Sequence, residues 1–163
     1  MTRESTSTGA GDNGKLHIFS ANTDAIKKMN LPIDRELILK QWKEIKFFTV
    51  QEFDSDDSPD SGLKMNIEFL KILDSIRKDC SFPFTINSGF RTPVKNALVG
   101  GKESSAHLDG LAADIKIIDS QQRFKLISTA IKYGITRVGI ASTYVHLDID
   151  FKLPQCVCWL YSK

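Results

Sequence analysis

The sequence predicts an α+β fold, in which a small antiparallel sheet packs against helices on one face and leaves its other face open. Three observations lead to this prediction. Apolar residues recur at helical spacing in the first half of the chain, β-rich runs gather in the second half, and one further helical segment lies among them. With 163 residues, 41% of them hydrophobic, the chain is long enough for one domain with a single core.

Two segments precede the predicted main domain. Residues 1–14 are rich in Ser, Thr and Gly and have no apolar periodicity, so we expect a disordered tail. Residues 15–46 form a predicted appendage, in which Asp34 caps a helix that carries Trp42. We expect this appendage to pack onto the main domain, residues 47–163. Docking onto a partner such as a virion protein is the alternative.

Two helices of the main domain are predicted to belong to its core. An acidic loop within residues 47–62 comes first, and an amphipathic helix opens at Leu63. Its apolar positions recur at helical spacing and are Leu63, Ile67, Leu70, Leu73 and Ile76. The second helix follows Asp119, which with Gln122 has the spacing of a capping box, and it ends at Gly134.

The sheet is predicted from four β-rich segments: residues 84–87, 112–118, 136–141 and 144–149. The last two are separated only by Ser142 and Thr143, a spacing typical of an antiparallel hairpin. A short helix is predicted over residues 93–99, between the first two strands. Because only loops and two predicted helices join these four segments, we expect them to form one sheet.

Strand alternation predicts which polar side chains share a face of this sheet. In residues 144–149 the apolar side chains face the core, so His146 and Asp148 share the opposite face. In residues 112–118 the apolar residues again alternate, and Asp114 points away from the core. If the two strands are neighbours, Asp114 and His146 lie on one sheet face.

These residues predict a metal site. The chain has only three histidines, and His107 stands in the loop before the strand of Asp114, from which it can reach toward His146. A carboxylate or imidazole buried without a partner costs on the order of several kcal/mol, and shared coordination of a metal removes that cost. Two His and one Asp on one Zn²⁺ per chain leave a fourth position for water, which is typical of catalytic zinc. A loop histidine without a role is the alternative for His107.

Composition excludes several other classes of function. The net charge of +2 comes from 22 basic and 20 acidic residues that are interspersed, so nucleic acid is not an expected partner. No run approaches eighteen apolar residues, so membrane insertion is not expected either. Residues 1–14 have no apolar region typical of a signal peptide, and we expect synthesis in the cytoplasm. The three cysteines are expected to be reduced, with metal binding by Cys156 and Cys158 as the alternative.

One block of the sequence resembles a known family. From Ser105 to Asp114 the pattern is S-x-H-x-x-G-x-A-x-D, and His146-x-Asp148 follows. This combination resembles the zinc D-Ala-D-Ala carboxypeptidases and related phage and bacterial peptidoglycan peptidases, to which the vancomycin-resistance dipeptidases and the Hedgehog signalling domain are structurally similar. The resemblance extends over residues 47–150 and includes the S-G-F-R-T-P loop that contains Arg91.

The resemblance implies a role for each residue of the site. It implies that His107, Asp114 and His146 bind Zn²⁺, which lowers the pKa of a bound water to about 7. Arg91 corresponds to the arginine with which members hold substrate, and a surface salt bridge is its alternative. Ser105 braces the loop or donates a hydrogen bond to substrate, or else it is a plain turn residue.

The sequence departs from the family pattern at the general base. Many relatives have Glu or Asp three residues before the second histidine, where this chain has Thr143. Asp148 is the nearest replacement, either as a catalytic base or as a carboxylate that orients His146. Asp109 is a third candidate.

The expected function is therefore hydrolysis of peptidoglycan stem peptides by a zinc peptidase, of the carboxypeptidase or endopeptidase type. We expect a phage-encoded cell-wall hydrolase that reaches the wall through a holin or as part of the virion, because the sequence begins without an export signal. The alternative is a virion or assembly protein that has kept the zinc-binding fold but lost catalysis, and that docks through residues 15–46.

Overall fold

The computed structural model of the protein describes residues 35–161. The helices are α1 Arg35–Trp42, α2 Ile67–Cys80, α3 Pro93–Leu98 and α4 Ser120–Lys132. The strands are β1 Ile86–Ser88, β2 Ala112–Lys116, β3 Arg137–Ile140, β4 Tyr144–Asp148 and β5 Val157–Leu160. Short 3₁₀ helices lie at Val50–Phe53, Ser61–Lys64 and Ala106–Asp109. The predicted tail, the first part of the predicted appendage and its cap Asp34 lie outside the described residues.

The five strands form one sheet in the order β1-β2-β4-β3-β5. The pairs β1–β2, β2–β4 and β4–β3 are antiparallel, whereas β5 pairs with β3 in parallel. The α+β class is confirmed, but the sheet is mixed rather than antiparallel throughout. The reason is that the chain reverses after β4 and crosses the end of β3, so β5 runs opposite to β4 and therefore along β3.

The two core helices begin where side chains cap them. The predicted start of α2 at Leu63 is wrong: the helix begins at Ile67, because Asn66 accepts a hydrogen bond from the Phe69 N–H at 3.0 Å and Met65 is extended. The predicted cap of α4 is confirmed, since Asp119 accepts from the Gln122 N–H at 2.7 Å.

The core lies between the sheet and the helices α2 and α4, which contact each other. Their fully buried side chains include Phe69, Leu70, Leu73, Ile76 and Leu126. Trp42 and Ile45 belong to the same buried cluster, and the Trp42 ring lies 5.9 Å from that of Phe53. The described part of the predicted appendage, residues 35–46, thus packs onto the main core. A domain boundary at residue 46 stays a prediction.

The sheet has an apolar face and a polar one, as the alternation predicted. Ala113, Ile115, Val145 and Leu147 belong to the core cluster, while the polar residues of β2 and β4 alternate with them. The polar face is not open at its centre, because Asp114, His146 and Asp148 are all buried. Within residues 35–161, no helix is long and apolar enough to span a bilayer.

Candidate metal centre

Three potential metal ligands meet on the polar face of the sheet. Asp114 of β2 lies directly opposite His146 of β4 in the antiparallel register, so their side chains are neighbours. His107 comes from the 3₁₀ helix Ala106–Asp109. One ligand atom from each of the three residues lies within 4.8 Å of the other two, and all three residues are buried. The structure therefore brings together the three residues that the sequence predicts as ligands.

Gly110 ends the turn that carries His107. Its φ of +68° lies in the left-handed region that favours glycine, and a Cβ there would lie 2.3 Å from the Lys64 carbonyl oxygen. The Arg91 N–H donates to the His107 carbonyl at 3.1 Å, which ties the turn to the loop after β1. The close approach of Gly110 to Lys64 and this hydrogen bond together hold His107 over the sheet.

The tautomer of His107 follows from its outer partner. Nδ1 lies 2.6 Å from the Gly89 carbonyl oxygen, which can only accept a hydrogen bond. Nδ1 therefore carries the proton and donates it to Gly89. The lone pair of Nε2 is left facing His146 Nδ1 at 3.2 Å and Asp114 Oδ1 at 3.3 Å.

His146 is oriented in the same way, with the two ring nitrogens exchanged. Its Nε2 lies 3.0 Å from Asp148 Oδ2, and its Nδ1 lies 2.8 Å from Asp114 Oδ1. When Nε2–H donates to Asp148, the lone pair of Nδ1 points at the other two ligand atoms, Asp114 Oδ1 and His107 Nε2. Two imidazole lone pairs and a carboxylate oxygen then converge within 3.3 Å. Electron-rich atoms so close together need a cation between them, either a proton or a metal ion.

The donor set fits a divalent metal such as zinc. Two His nitrogens and one carboxylate oxygen are ligands that Zn²⁺ takes, and three protein ligands leave a coordination position for water. Both histidines have an outer hydrogen-bond acceptor, the usual arrangement for metal-binding imidazoles. His107, Asp114 and His146 could therefore hold the ion.

The electrostatics of the group favour an ionised Asp114. Burial alone would raise the pKa of its carboxyl, but the contacts with the His107 and His146 imidazoles outweigh burial and lower it. Burial acts against the charged imidazole of His146, yet Asp114 and Asp148 outweigh it and raise the pKa. For His107 burial prevails, and the pKa is lowered. The group therefore contains one firmly negative residue and two imidazoles in different environments.

Arg91 lies beside the group and contacts one of its ligands. Its Nη2 donates to Asp114 Oδ2 at 2.5 Å, and its Nε donates to Ser88 Oγ at 2.7 Å. Because the Arg91 side chain is only 15% exposed, this is not a surface salt bridge. The arginine occupies the outer oxygen of Asp114 and leaves Oδ1 for the metal position. Its substrate-binding role stays a prediction.

Ser105 supports the same turn through its backbone. Its N–H donates to the Lys102 carbonyl and its own carbonyl accepts from the Leu108 N–H, both at 3.0 Å. Its hydroxyl makes no hydrogen bond with any residue of the described range 35–161. The backbone braces the loop, and the predicted contact of the hydroxyl with substrate stays a prediction.

Asp148 lies at the Nε2 side of the His146 ring, away from Asp114 and His107. It is 1% exposed, and its Oδ1 accepts from Arg137 Nε at 2.7 Å and from the Asp150 N–H at 3.0 Å. Of the two roles that the sequence left open, this position favours orientation of His146. Asp109 is exposed and paired with Lys152 at 3.0 Å.

An arginine and three aromatic residues around the site were not predicted from the sequence. Arg137 of β3 pairs with Asp148, and the rings of Trp159 and Tyr161 lie 5.5 and 6.4 Å from that of His146. Tyr144 is 5.5 Å from Tyr161, whose pKa is raised to about 12 by burial and by the charge of Asp114. Arginine at a strand end looks like a surface residue in a sequence, so pattern alone did not mark it.

Gly139 makes room for these aromatic rings. It lies opposite His146 on β3, and a Cβ at this position would come within 2.7 to 2.9 Å of ring atoms of Trp159 and Tyr161. A glycine inside a predicted strand often marks such a close approach, and this was the available signal in the sequence.

Comparison with known proteins agrees with this site. No curated protein matches the chain. The family model of peptidase M15 matches residues 37–148, which is more than half of the chain and includes the three candidate ligands. The matched range ends at the last residue of β4, before β5. The chain belongs to the peptidase M15 family, which includes the zinc D-Ala-D-Ala carboxypeptidases and the vancomycin-resistance dipeptidases.

Proposed function

We propose that the protein is a zinc peptidase that hydrolyses peptidoglycan stem peptides, as a D-Ala-D-Ala carboxypeptidase or an endopeptidase. The supporting observation is the convergence of two imidazole lone pairs and one carboxylate oxygen within 3.3 Å. The outer hydrogen bonds to Gly89 and Asp148 leave these lone pairs facing the metal position. Membership of peptidase M15 supports peptide hydrolysis as the reaction.

His107, Asp114 and His146 are the proposed ligands of one zinc ion. When bound, zinc supplies a water of lowered pKa, about 7, and polarises the scissile carbonyl. The protein's own contribution is to exclude bulk water from the ligands, which are at most 6% exposed, and to keep both imidazoles in the ligating tautomer.

Arg91 is the proposed substrate-binding residue. Two of its nitrogens hold Ser88 and Asp114, while Nη1 makes no hydrogen bond with any residue between 35 and 161. A guanidinium presents five N–H donors in a rigid fork, so Nη1 is available for a carbonyl or terminal carboxylate of the peptide. Ser105 is proposed to add a second donor from its half-buried hydroxyl.

Asp148 is proposed as the residue that orients His146, rather than as the general base. It approaches the group through His146 Nε2, on the side of the ring away from Asp114 and His107. A phage-encoded cell-wall hydrolase, released through a holin or carried by the virion, is the proposed setting. Its support is the resemblance of the motif to phage peptidoglycan peptidases.

A second candidate is a virion or assembly protein that keeps the metal site without catalysis. The observation in its favour is that Thr143 is exposed and uncharged where relatives have an acid, while Asp148 faces away from the donor group.

Mass spectrometry of muropeptides after incubation with the zinc-loaded protein separates the two candidates. Loss of one terminal residue from the stem is expected for a carboxypeptidase, and conversion of cross-linked dimers to monomers for an endopeptidase. The products should disappear with His146→Ala and persist with Arg77→Met, a control arginine whose contacts are Phe47 and Phe48. Intact stems from a protein with stoichiometric zinc would contradict the peptidase.

A further inference from the structure

A second arginine is buried behind the metal group. Arg137 of β3 lies opposite Asp148 of β4 in the antiparallel register, and its Nε donates to Asp148 Oδ1 at 2.7 Å. The two side chains are 9% and 1% exposed. A buried ion pair of this kind carries a desolvation cost and adds little stability compared with apolar side chains of similar size. Its contacts indicate what else it does.

The guanidinium of Arg137 is held on three sides. Besides Asp148, Nη1 donates to the carbonyl oxygen of Pro154, in the turn between β4 and β5. The guanidinium carbon also lies 5.4 Å from the centre of the Trp159 ring of β5. Arg137 is therefore an anchored donor rather than a side chain that moves among partners.

The anchored arginine determines which oxygen of Asp148 remains for His146. Oδ1 accepts from Arg137 Nε and from the Asp150 N–H at 3.0 Å. Oδ2 lies 3.0 Å from His146 Nε2, and the Nδ1 of the same ring faces Asp114 at 2.8 Å. The contacts form one continuous series from Arg137 through Asp148 and His146 to the metal position.

We propose that Arg137 is a positioning residue of the metal centre, which acts through Asp148 to hold His146 with Nδ1 toward His107 and Asp114. The proposal rests on the metal site of the proposed function and is independent of its substrate. An arginine that only stabilised the fold would affect the melting temperature and leave the metal affinity of the folded protein unchanged.

Zinc affinity, measured by competition with a chromogenic chelator, tests this role. Arg137→Met removes the charge and keeps most of the stem. We expect it to lower zinc affinity about 10- to 100-fold, the usual effect of losing an outer partner of a metal-binding histidine. The absorption spectrum of the Co²⁺-loaded protein should change as well. The matched control Arg77→Met, an arginine of α2 that contacts Phe47 and Phe48, should leave both readouts unchanged.

A double-variant cycle covers the case in which Arg137→Met alone does not fold. Arg137→Met combined with Asp148→Asn leaves no unpaired buried charge, so the double variant is expected to fold. If Arg137 acts through Asp148, the double variant binds zinc as Asp148→Asn does. Fully multiplicative losses would overturn the proposal, as would a folded Arg137→Met with wild-type affinity and cobalt spectrum. If these results hold but no stem peptide is cleaved, the proposed peptidase function fails while the role of Arg137 in the metal site stands.

Discussion

Two buried arginine–aspartate pairs lie on opposite sides of His146 and differ in what the carboxylate does. In the pair Arg91–Asp114 the carboxylate reaches His146 Nδ1, together with His107, and is itself a candidate metal ligand. In the pair Arg137–Asp148 the carboxylate reaches His146 Nε2, behind the ring. The chemistry of the pairs is the same, so the ring nitrogen that each one faces determines its role. The following variants test this difference.

The largest effect is expected from Asp114→Asn. The variant loses a ligand and leaves Arg91 with Ser88 as its remaining side-chain partner, so removal of one member of a buried pair should cost about 3–5 kcal/mol of folding free energy. Wild-type protein at a zinc concentration 100 times its Kd gains about 2.7 kcal/mol. The variant should gain almost nothing. Thermal unfolding with and without zinc measures both effects, and a zinc-dependent shift in the variant would remove Asp114 from the ligand set.

Asp148→Asn should have the next largest effect on metal binding. The amide can no longer act as a charged acceptor for His146 Nε2–H and Arg137, so zinc affinity should fall about 10- to 100-fold. A chelator titration gives the affinity, and peptide hydrolysis at saturating zinc gives the rate. Unchanged affinity with a large loss of rate would identify Asp148 as the base rather than as the residue that orients His146.

Arg91→Lys is expected to act mainly on substrate. A lysine retains the charge beside Asp114 but cannot also bond Ser88 and present a free nitrogen to the peptide. Loss of one charge-assisted hydrogen bond corresponds to about 1.5–3 kcal/mol, so KM should rise roughly tenfold or more while zinc content is retained. Steady-state kinetics with metal analysis on the same sample distinguishes this from a ligand effect. A variant that lost zinc while KM stayed constant would make Arg91 a partner of Asp114 only.

The smallest effect is expected from Gly139→Ala. The added Cβ would come within 2.9 Å of the Trp159 and Tyr161 rings and displace them from beside His146. Overpacking of this kind costs about 1–3 kcal/mol, which urea unfolding can measure. Zinc affinity should change less than in Asp148→Asn, because the hydrogen bonds of His146 do not involve these rings. A larger loss of affinity would show that the aromatic residues, and not only the Asp148 side of the ring, hold His146.

The part of the site that could be predicted from sequence depends on local periodicity. Alternation along β2 and β4 predicted that Asp114 and His146 share a face, because a strand has a period of two residues whatever its partners. The place of His107 in the loop before β2 predicted that it reaches toward His146, and the resemblance of the S-x-H-x-x-G-x-A-x-D block implied the same role. Local pattern could not predict that β5 adds in parallel beyond β3, since this pairing depends on the path of the turn after β4.

The misplaced start of α2 has a different cause. Leu63 fits the apolar spacing of the helix and is partly buried against the core, so periodicity alone includes it. The extended Met65 and the side-chain cap from Asn66 interrupt the helix between Leu63 and Ile67. Arg137 was missed because its partner Asp148 is 11 residues away on another strand, and only the register of β3 and β4 brings them together.

The convergence of His107, Asp114 and His146 also determines what the metal-free protein carries. Burial opposes the charged imidazole of His146, but its two carboxylate neighbours outweigh burial and raise its pKa, so a proton competes with a metal ion for the same position. Metal uptake is then an exchange of one cation for another, and the proton leaves as the metal enters. The heat of binding should accordingly vary with the ionisation enthalpy of the buffer, and acidification should favour the empty, protonated form.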